Sequence, residues 1–200
     1  MTAPVDLHRA VEALSAGEVV AIPTDTVYGL AVDPAASGAT AALFSLKARP
    51  VSSPLPVLVA GVDQAQDVVG PLAPAPRRLA EALWPGALTI VVARPVGLGW
   101  DVGGDGTSLG LRHPACPLAV ELCRRVGPLA TTSANRHGHP PLTTAGAVLA
   151  EFDAAIVVVD GGVCDGQPST VIDARGDRPV CLRTGGVGFD AVLEVWAGKS

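Results

Sequence analysis

The sequence predicts an α/β fold: one domain, residues 1–200, on a twisted mixed sheet with flanking helices. Three observations predict it. Short β-branched or apolar runs alternate with amphipathic stretches from end to end. Turn residues punctuate them, 23 Gly and 18 Pro, about a fifth of the chain, which stays below the roughly 25–30% of low-complexity sequence. The composition is 48% hydrophobic and 16% charged over 200 residues, enough to close a core without disulfides or metal. No repeat, charge block or linker divides the chain.

Each element has a local reason. Val5, Leu7, Val11 and Leu14 make the apolar set of a helix over 5–16, stopped by Gly17. Glu18–Pro23 is a strand leading into Thr24-Asp25-Thr26. Ser37 is expected to cap a helix running to Lys47, and Pro50 closes that segment. Leu55–Ala60 reads as a strand and Asp63–Val69 as a short helix. Pro76 sits in the first turn of a helix reaching Leu83, ended by Pro85-Gly86. Ala87–Ala93 is the clearest strand, read as apolar and buried on both faces. A Gly-rich loop over 97–106 precedes a strand at Ser108–Arg112 and a helix at Pro117–Val126. Strand Leu129–Thr132 ends at Ser133-Ala134-Asn135. A helix near Thr144–Phe152, strands at Ala155–Val159, Thr170–Asp173 and Pro179–Arg183, and a helix at Phe189–Trp196 complete the series.

Several functions are set aside. The mean hydropathy is +0.40, yet the longest stretch without Asp, Glu, Lys or Arg is 137–150, with two His and two Pro. A membrane span needs about 18–20 apolar residues. Residues 1–15 carry Asp6, His8, Arg9 and Glu12 and no apolar run of a secretory signal. Cys116, Cys123, Cys164 and Cys181 show no CxxC pair, so they read as reduced small core residues of a cytoplasmic protein. Net charge is −5, so a polyanion site must be local. One candidate is 112–139, where Arg112, Arg124, Arg125 and Arg136 face a single acid, Glu121. There is no G-x-G-x-x-G after a strand and no G-x-S-x-G elbow. His137-Gly138-His139 has no further partner at metal-site spacing and reads as a solvated loop.

Three segments carry chemistry. Of 14 basic residues, Lys47 is the one internal lysine. Arg49 follows, and Pro50 pushes Arg49 towards extended geometry. An extended 47–49 would point both side chains one way, converging cations fit for a polyphosphate. Cations at a helix C-terminus are the plainer alternative. Pro23-Thr24-Asp25-Thr26-Val27-Tyr28-Gly29-Leu30 places hydroxyls and a carboxylate where a strand ends, a usual ligand position in open α/β sheets, or simply a self-satisfied turn. Thr131-Thr132-Ser133-Ala134-Asn135 repeats the pattern. Ser133 has no adjacent base, so it reads as a hydrogen-bond donor, and Asn135 offers both a donor and an acceptor; either could equally be a helix cap. Arg112 and Arg183 each end a strand and could share a cleft with Lys47, or form solvated ion pairs.

At these residues the sequence resembles the YrdC-like threonylcarbamoyl-AMP synthases. The matching segments are PTDTVYGL (23–30), KARP (47–50), WPGALT (84–89), LRHP (111–114), TTSAN (131–135) and STVID (169–173), closing with Arg183. They cover roughly residues 10–185. The resemblance implies the YrdC-like (DHBP-synthase-like) fold with a large concave cleft. It implies a nucleotidyltransferase making threonylcarbamoyl-AMP and pyrophosphate from ATP, with Mg²⁺, bicarbonate and L-threonine. A separate tRNA threonylcarbamoyl transferase then uses the product. By that resemblance Lys47 and Arg49 bind nucleotide phosphates and serve catalysis, and Ser133, Asn135 and Arg183 hold the nucleotide. Thr26, Tyr28, Arg112 and Ser169 form the threonine pocket, with Arg112 taking the carboxylate. A weak RNA-binding module on the same fold, or a relative using another carbamoyl donor, is the competing reading. The chain departs from the family at Ser53, where many members carry a second Lys, with Arg136 as a possible substitute cation. It also departs at Cys116, often His, and at Thr184, usually Pro. Longer members carry a second, C-terminal domain.

Overall fold

In the computed structural model, which describes residues 6–152 and 156–198, the strands form one mixed sheet. They are β1 (Val20–Ile22), β2 (Gly29–Val32), β3 (Val57–Leu58), β4 (Leu88–Ala93), β5 (Ser108–Arg112), β6 (Leu129–Ser133), β7 (Val157–Val158), β8 (Thr170–Asp173) and β9 (Val180–Arg183). Their order is β7-β1-β2-β6-β3-β5-β4-β8-β9. The helices are α1 (Leu7–Ser15), α2 (Ala39–Lys47), α3 (Val62–Val69), α4 (Pro74–Leu83), α5 (Pro117–Val126), α6 (Ala145–Phe152) and α7 (Phe189–Trp196). Val5 and Ala155, where the sequence starts a helix and a strand, lie outside the described residues.

Local chemistry sets most boundaries. Asp6 caps α1 by accepting the Arg9 N–H at 2.9 Å. Pro residues open α4 and α5, where the missing N–H costs nothing. The expected cap at Ser37 is not formed. Gly38 holds the N-cap position with φ 77°, a left-handed geometry that suits glycine. One strand escapes the sequence reading: β2, buried at all four positions and paired antiparallel to both β1 and β6. The register Ile22↔Gly29 makes β1 and β2 a hairpin whose loop is Pro23–Tyr28.

The side-chain alternation of the strands decides where a cleft can exist. Ala21, Leu30, Val32 and Val57 pack into the larger core with α2, α4, α6 and α7. Their neighbours Val20, Ile22, Ala31 and Leu58 pack on the other face into a second core under α1 and α5. The β1, β2 and β3 strands are therefore covered on both faces. β4 and β5 bury Leu88, Ile90, Leu109 and Leu111 in the larger core only. Their alternate residues Thr89, Val91, Ser108 and Gly110 line grooves on the opposite face. So β4 is not buried on both faces as expected, because α1 and α5 reach only half of that side. The uncovered half is the concave cleft.

Candidate active site

The cleft holds about 260 Å³, and its walls come from the β1–β2 loop, the ends of β5, β6 and β9, and the segment after α2. The β1–β2 loop is tied together by the hydroxyl of Thr24. Thr24 Oγ1 donates to the Val27 carbonyl at 2.6 Å and accepts the Thr26 and Val27 N–H groups at 3.1 and 3.2 Å. Thr26 Oγ1 lies 2.9 Å from Thr24 Oγ1. From the end of β5, Arg112 reaches into this loop. Its Nη2 donates to Asp25 Oδ1 at 2.7 Å, its Nη1 to Thr26 Oγ1 at 3.0 Å, and its Nε to the Gly86 carbonyl at 3.0 Å. The Arg112 side chain is only 7% exposed, so three anchors fix a planar fork whose Nη1 and Nη2 each keep a second N–H.

Two more guanidiniums face the same space. Arg49 donates from Nε to the Ser53 carbonyl at 3.0 Å and from Nη2 to the Pro54 carbonyl at 3.1 Å. Arg183 donates from Nε and Nη2 to the Ser169 carbonyl at 3.0 and 2.8 Å, and from Nη2 to Ser169 Oγ at 2.9 Å. Within the described residues neither has a carboxylate partner, and neither Nη1 makes a hydrogen bond. Burial pulls both pKa values down, and for Arg183 the charges of Arg112 and Arg49 add to it. Arginine remains protonated, so Arg49, half-buried, and Arg183, exposed, bring like charges to one cleft with no carboxylate of their own among the described residues. An entering anion would relieve that repulsion.

Of the expected site residues, Thr26, Arg49, Arg112, Ser133, Ser169 and Arg183 line the cleft. Lys47, Asn135 and Tyr28 are not among its lining residues; they sit behind it. Lys47 is 2% exposed. Its Nζ donates to the Ser133 carbonyl at 2.5 Å, to Ser133 Oγ at 3.2 Å and to Asn135 Oδ1 at 2.8 Å. Burial, then repulsion from Arg49, lowers its pKa to about 8. Asn135 Nδ2 donates to the Arg136 and His139 carbonyls. Ser133 donates its own proton to Asn135 Oδ1 at 2.6 Å, so it does not serve the cleft as a donor. Tyr28 is fully buried. Its hydroxyl donates to the Gly162 carbonyl at 3.0 Å and accepts the Gly161 N–H at 3.1 Å. It braces the 160–162 loop and is not a wall of the pocket.

The extended 47–49 geometry is also corrected. Lys47 ends α2, and Ala48 turns left-handed at φ 51°, so a helix cap separates the two cations. The 112–139 arginine patch does not exist as one surface. Arg124 and Arg125 pair with Glu121, Arg136 with Glu151, and Arg112 with Asp25. Arg136 also lies over the Phe152 ring, so it does not replace the missing lysine at Ser53. The sequence reading placed Thr24 and Asp25 in a candidate ligand loop but did not pair Asp25 with Arg112, and it missed Thr89 as a cleft residue. Thr89 had a signal, a single hydroxyl within an aliphatic strand; its Oγ1 lies 3.0 Å from Ser169 Oγ. Among the described residues no group of three His, Cys, Asp or Glu could hold a metal, and no helix is long and apolar enough to cross a membrane.

Fold and cleft define an α/β protein with an arginine-lined cleft at an open sheet face. The chain belongs to the Sua5/YciO/YrdC family, whose sequence model, described as "Telomere recombination", matches residues 12–185. A Mycobacterium tuberculosis protein, provisionally named a threonylcarbamoyl-AMP synthase, is 41% identical over 188 residues, 93% of this chain and 87% of its own. A Bacillus subtilis threonylcarbamoyl-AMP synthase is 38% identical over 185 residues, 90% of this chain and 54% of its own. The crystal structure of Pyrococcus abyssi Sua5 complexed with L-threonine superposes with a TM-score of 0.89 at 32% identity, over 94% of this chain and 56% of that one. The chain thus spans about half the length of the Bacillus and Pyrococcus relatives.

Proposed function

We propose that this protein is an L-threonylcarbamoyladenylate synthase, converting ATP, bicarbonate and L-threonine to threonylcarbamoyl-AMP and pyrophosphate. The observation that carries the reading is the convergence of Arg49, Arg112 and Arg183 on one cleft, with Asp25 their one carboxylate partner among the described residues. Relatives bearing the synthase name and a threonine-bound structure of the same fold support it. Arg112, held flat by three anchors, receives the amino-acid carboxylate bidentately. Arg49 and Arg183 hold the triphosphate and offset the charge that builds on the departing pyrophosphate.

The reaction then needs no protein nucleophile. The threonine amine condenses with bicarbonate to a carbamate with loss of water. A carbamate oxygen attacks the α-phosphorus of ATP, and the bond to the bridging oxygen of pyrophosphate breaks. The chain's contribution is orientation and charge. Mg²⁺ is best treated as part of the substrate. The cleft offers hydroxyls and guanidiniums, and its nearest carboxylate, Asp25, is engaged by Arg112, so the residues present do not form a cage for the metal. It would arrive on the phosphates of MgATP. The product would pass to a separate transferase that modifies tRNA adenosine.

The test is pyrophosphate release from MgATP with threonine and bicarbonate omitted in turn. Release that requires both is the expected result; release that needs neither would sink the proposal.

A further inference from the structure

The Gly-rich loop over 97–106 contributes no wall to the cleft. It packs instead on the segment that carries Arg49. After α2, the Arg49 N–H donates to the Phe44 carbonyl at 3.0 Å, and the Ser53 N–H closes a turn on the Pro50 carbonyl at 2.9 Å. The Ser53 and Pro54 carbonyls of this turn take Arg49 Nε and Nη2, so the place of the turn sets the direction of the guanidinium. Pro50, Pro54 and Pro56 lack an N–H, and the segment cannot hold itself in a ladder. The distant loop holds it. The Gly104 N–H donates to the Val51 carbonyl at 2.7 Å, and the Leu55 N–H donates to the carbonyl of Val102, itself fully buried, at 2.8 Å. Gly103 lies between these two bonds with φ 74°. A Cβ there would sit 2.5 Å from the Val51 carbonyl oxygen and 2.7 Å from Phe44 Cζ. Glycine is needed for the left-handed backbone and again for the close approach.

We infer that Gly103 is a positioning residue for Arg49: it admits the backbone of 102–104 against Val51 and Phe44, and the two hydrogen bonds made there fix the turn whose carbonyls aim the guanidinium. The inference rests on the proposed role of Arg49 as a phosphate ligand and adds a distant part of the chain to it. The other end of the cleft is built independently, since Asp25, Thr26 and Gly86 hold Arg112. A disturbance at Gly103 therefore reaches the triphosphate and spares the amino acid.

The experiment compares wild-type protein with Gly103→Ala, Gly106→Ala, Arg49→Ala and the double variant carrying both Gly103→Ala and Arg49→Ala. Pyrophosphate affinity is read by calorimetry, and KM for ATP and for L-threonine by pyrophosphate release. Gly106 also has φ 74°, but a Cβ there would meet nothing within 4 Å, so Gly106→Ala carries the backbone strain without the collision. Gly103→Ala is expected to weaken pyrophosphate and raise KM for ATP about tenfold, the worth of one charge-assisted contact. Its KM for L-threonine should stay within twofold, and Gly106→Ala should match wild type in all three readings. On the Arg49→Ala background, Gly103→Ala should change pyrophosphate affinity less than twofold, because its effect runs through Arg49. A larger further loss on that background would mean general damage and would overturn the inference; so would wild-type pyrophosphate affinity in Gly103→Ala. Should Gly103→Ala not fold, Gly104→Ala, whose Cβ would lie 3.1 Å from Pro54 Cβ, must show the same selective loss; unchanged affinity there overturns it equally. Wild-type protein that binds no pyrophosphate, or Arg49→Ala that binds it as wild type does, defeats the proposed role of Arg49 first, a result visible before any glycine variant is compared.

Discussion

Lys47 carries the most work per atom in this molecule. Its ammonium, 2% exposed, satisfies two oxygens of Ser133 and one of Asn135. Lys47→Met would strand those acceptors, and a loss of about 2–4 kcal/mol in unfolding free energy is expected, read by urea denaturation. The variant should also lose adenylate formation, because the Ser133–Asn135 turn it holds forms a cleft wall. Its titration gives a second prediction. With a folded pKa near 8 and an unfolded value near 10.5, Lys47 is charged below pH 8 and loses its proton above it. The positive field behind the cleft fades in the same range, so pyrophosphate affinity should fall as pH rises through about 8. An anion favours the charged form, so binding near pH 8 should take up a proton. Calorimetry in buffers of different ionisation heat measures that uptake; an uptake of zero would contradict this account. Composition singles out Lys47 as the one internal lysine. Its burial does not follow from sequence, since the acceptors that allow it come from the end of β6 and the turn after it.

At the scale of elements, the β8–β9 connection decides how Ser169 and Arg183 meet. A Cβ at Gly185 would lie 2.2 Å from the Pro168 carbonyl oxygen and 2.5 Å from the Thr170 nitrogen, and the Gly186 N–H donates to that same carbonyl at 3.0 Å. The Arg-Thr-Gly turn is therefore clasped to β8 even with Thr184 in place of proline. Gly185→Ala must push β9 away from Ser169; a loss of about 2–3 kcal/mol and most of the activity is expected, measured by thermal unfolding and pyrophosphate release. Helices were legible because their periodicity and proline starts are local. The β2 strand was not: four residues, Gly29–Val32, are too few to show alternation, and burial on both faces removes it. Its identity comes from β1 and β6 on either side. For the same reason Pro23–Tyr28 looked like a loop after a strand, when it is the turn of a hairpin.

For the whole molecule, net charge and local charge point in opposite directions. The chain is acidic at −5, yet three arginines share one cleft. An anion that binds only the folded state must stabilise it. At a hundredfold excess over Kd the gain is about 2.7 kcal/mol, which for 200 residues raises Tm by about 5–10 °C. Pyrophosphate should produce this shift in a melting scan and threonine alone a smaller one. The pyrophosphate shift should shrink between 50 and 500 mM salt. No shift at low salt would mean that the cleft is not an anion site. The exposed pairs of Arg124, Arg125 and Arg136 should contribute little to it, since each already faces a glutamate in water.

The sequence alone determined the α/β class and most helices and strands, because periodicity and turn chemistry are written in neighbouring positions, and the motifs of the family it resembles pointed to six of the residues that line the cleft. Tertiary structure decided which motif residues line the cleft and which stand behind them. Lys47, Tyr28 and Asn135 lie in the same motifs as Arg49, Thr26 and Ser133, yet each is turned inward by partners far away in the chain. It also decided that the site is a cleft at all. Helices α1 and α5 cover one half of a sheet face, and the other half stays open where Thr89 and Val91 point. Burial and hydrogen-bond direction depend on elements distant in sequence, and no local pattern encodes them.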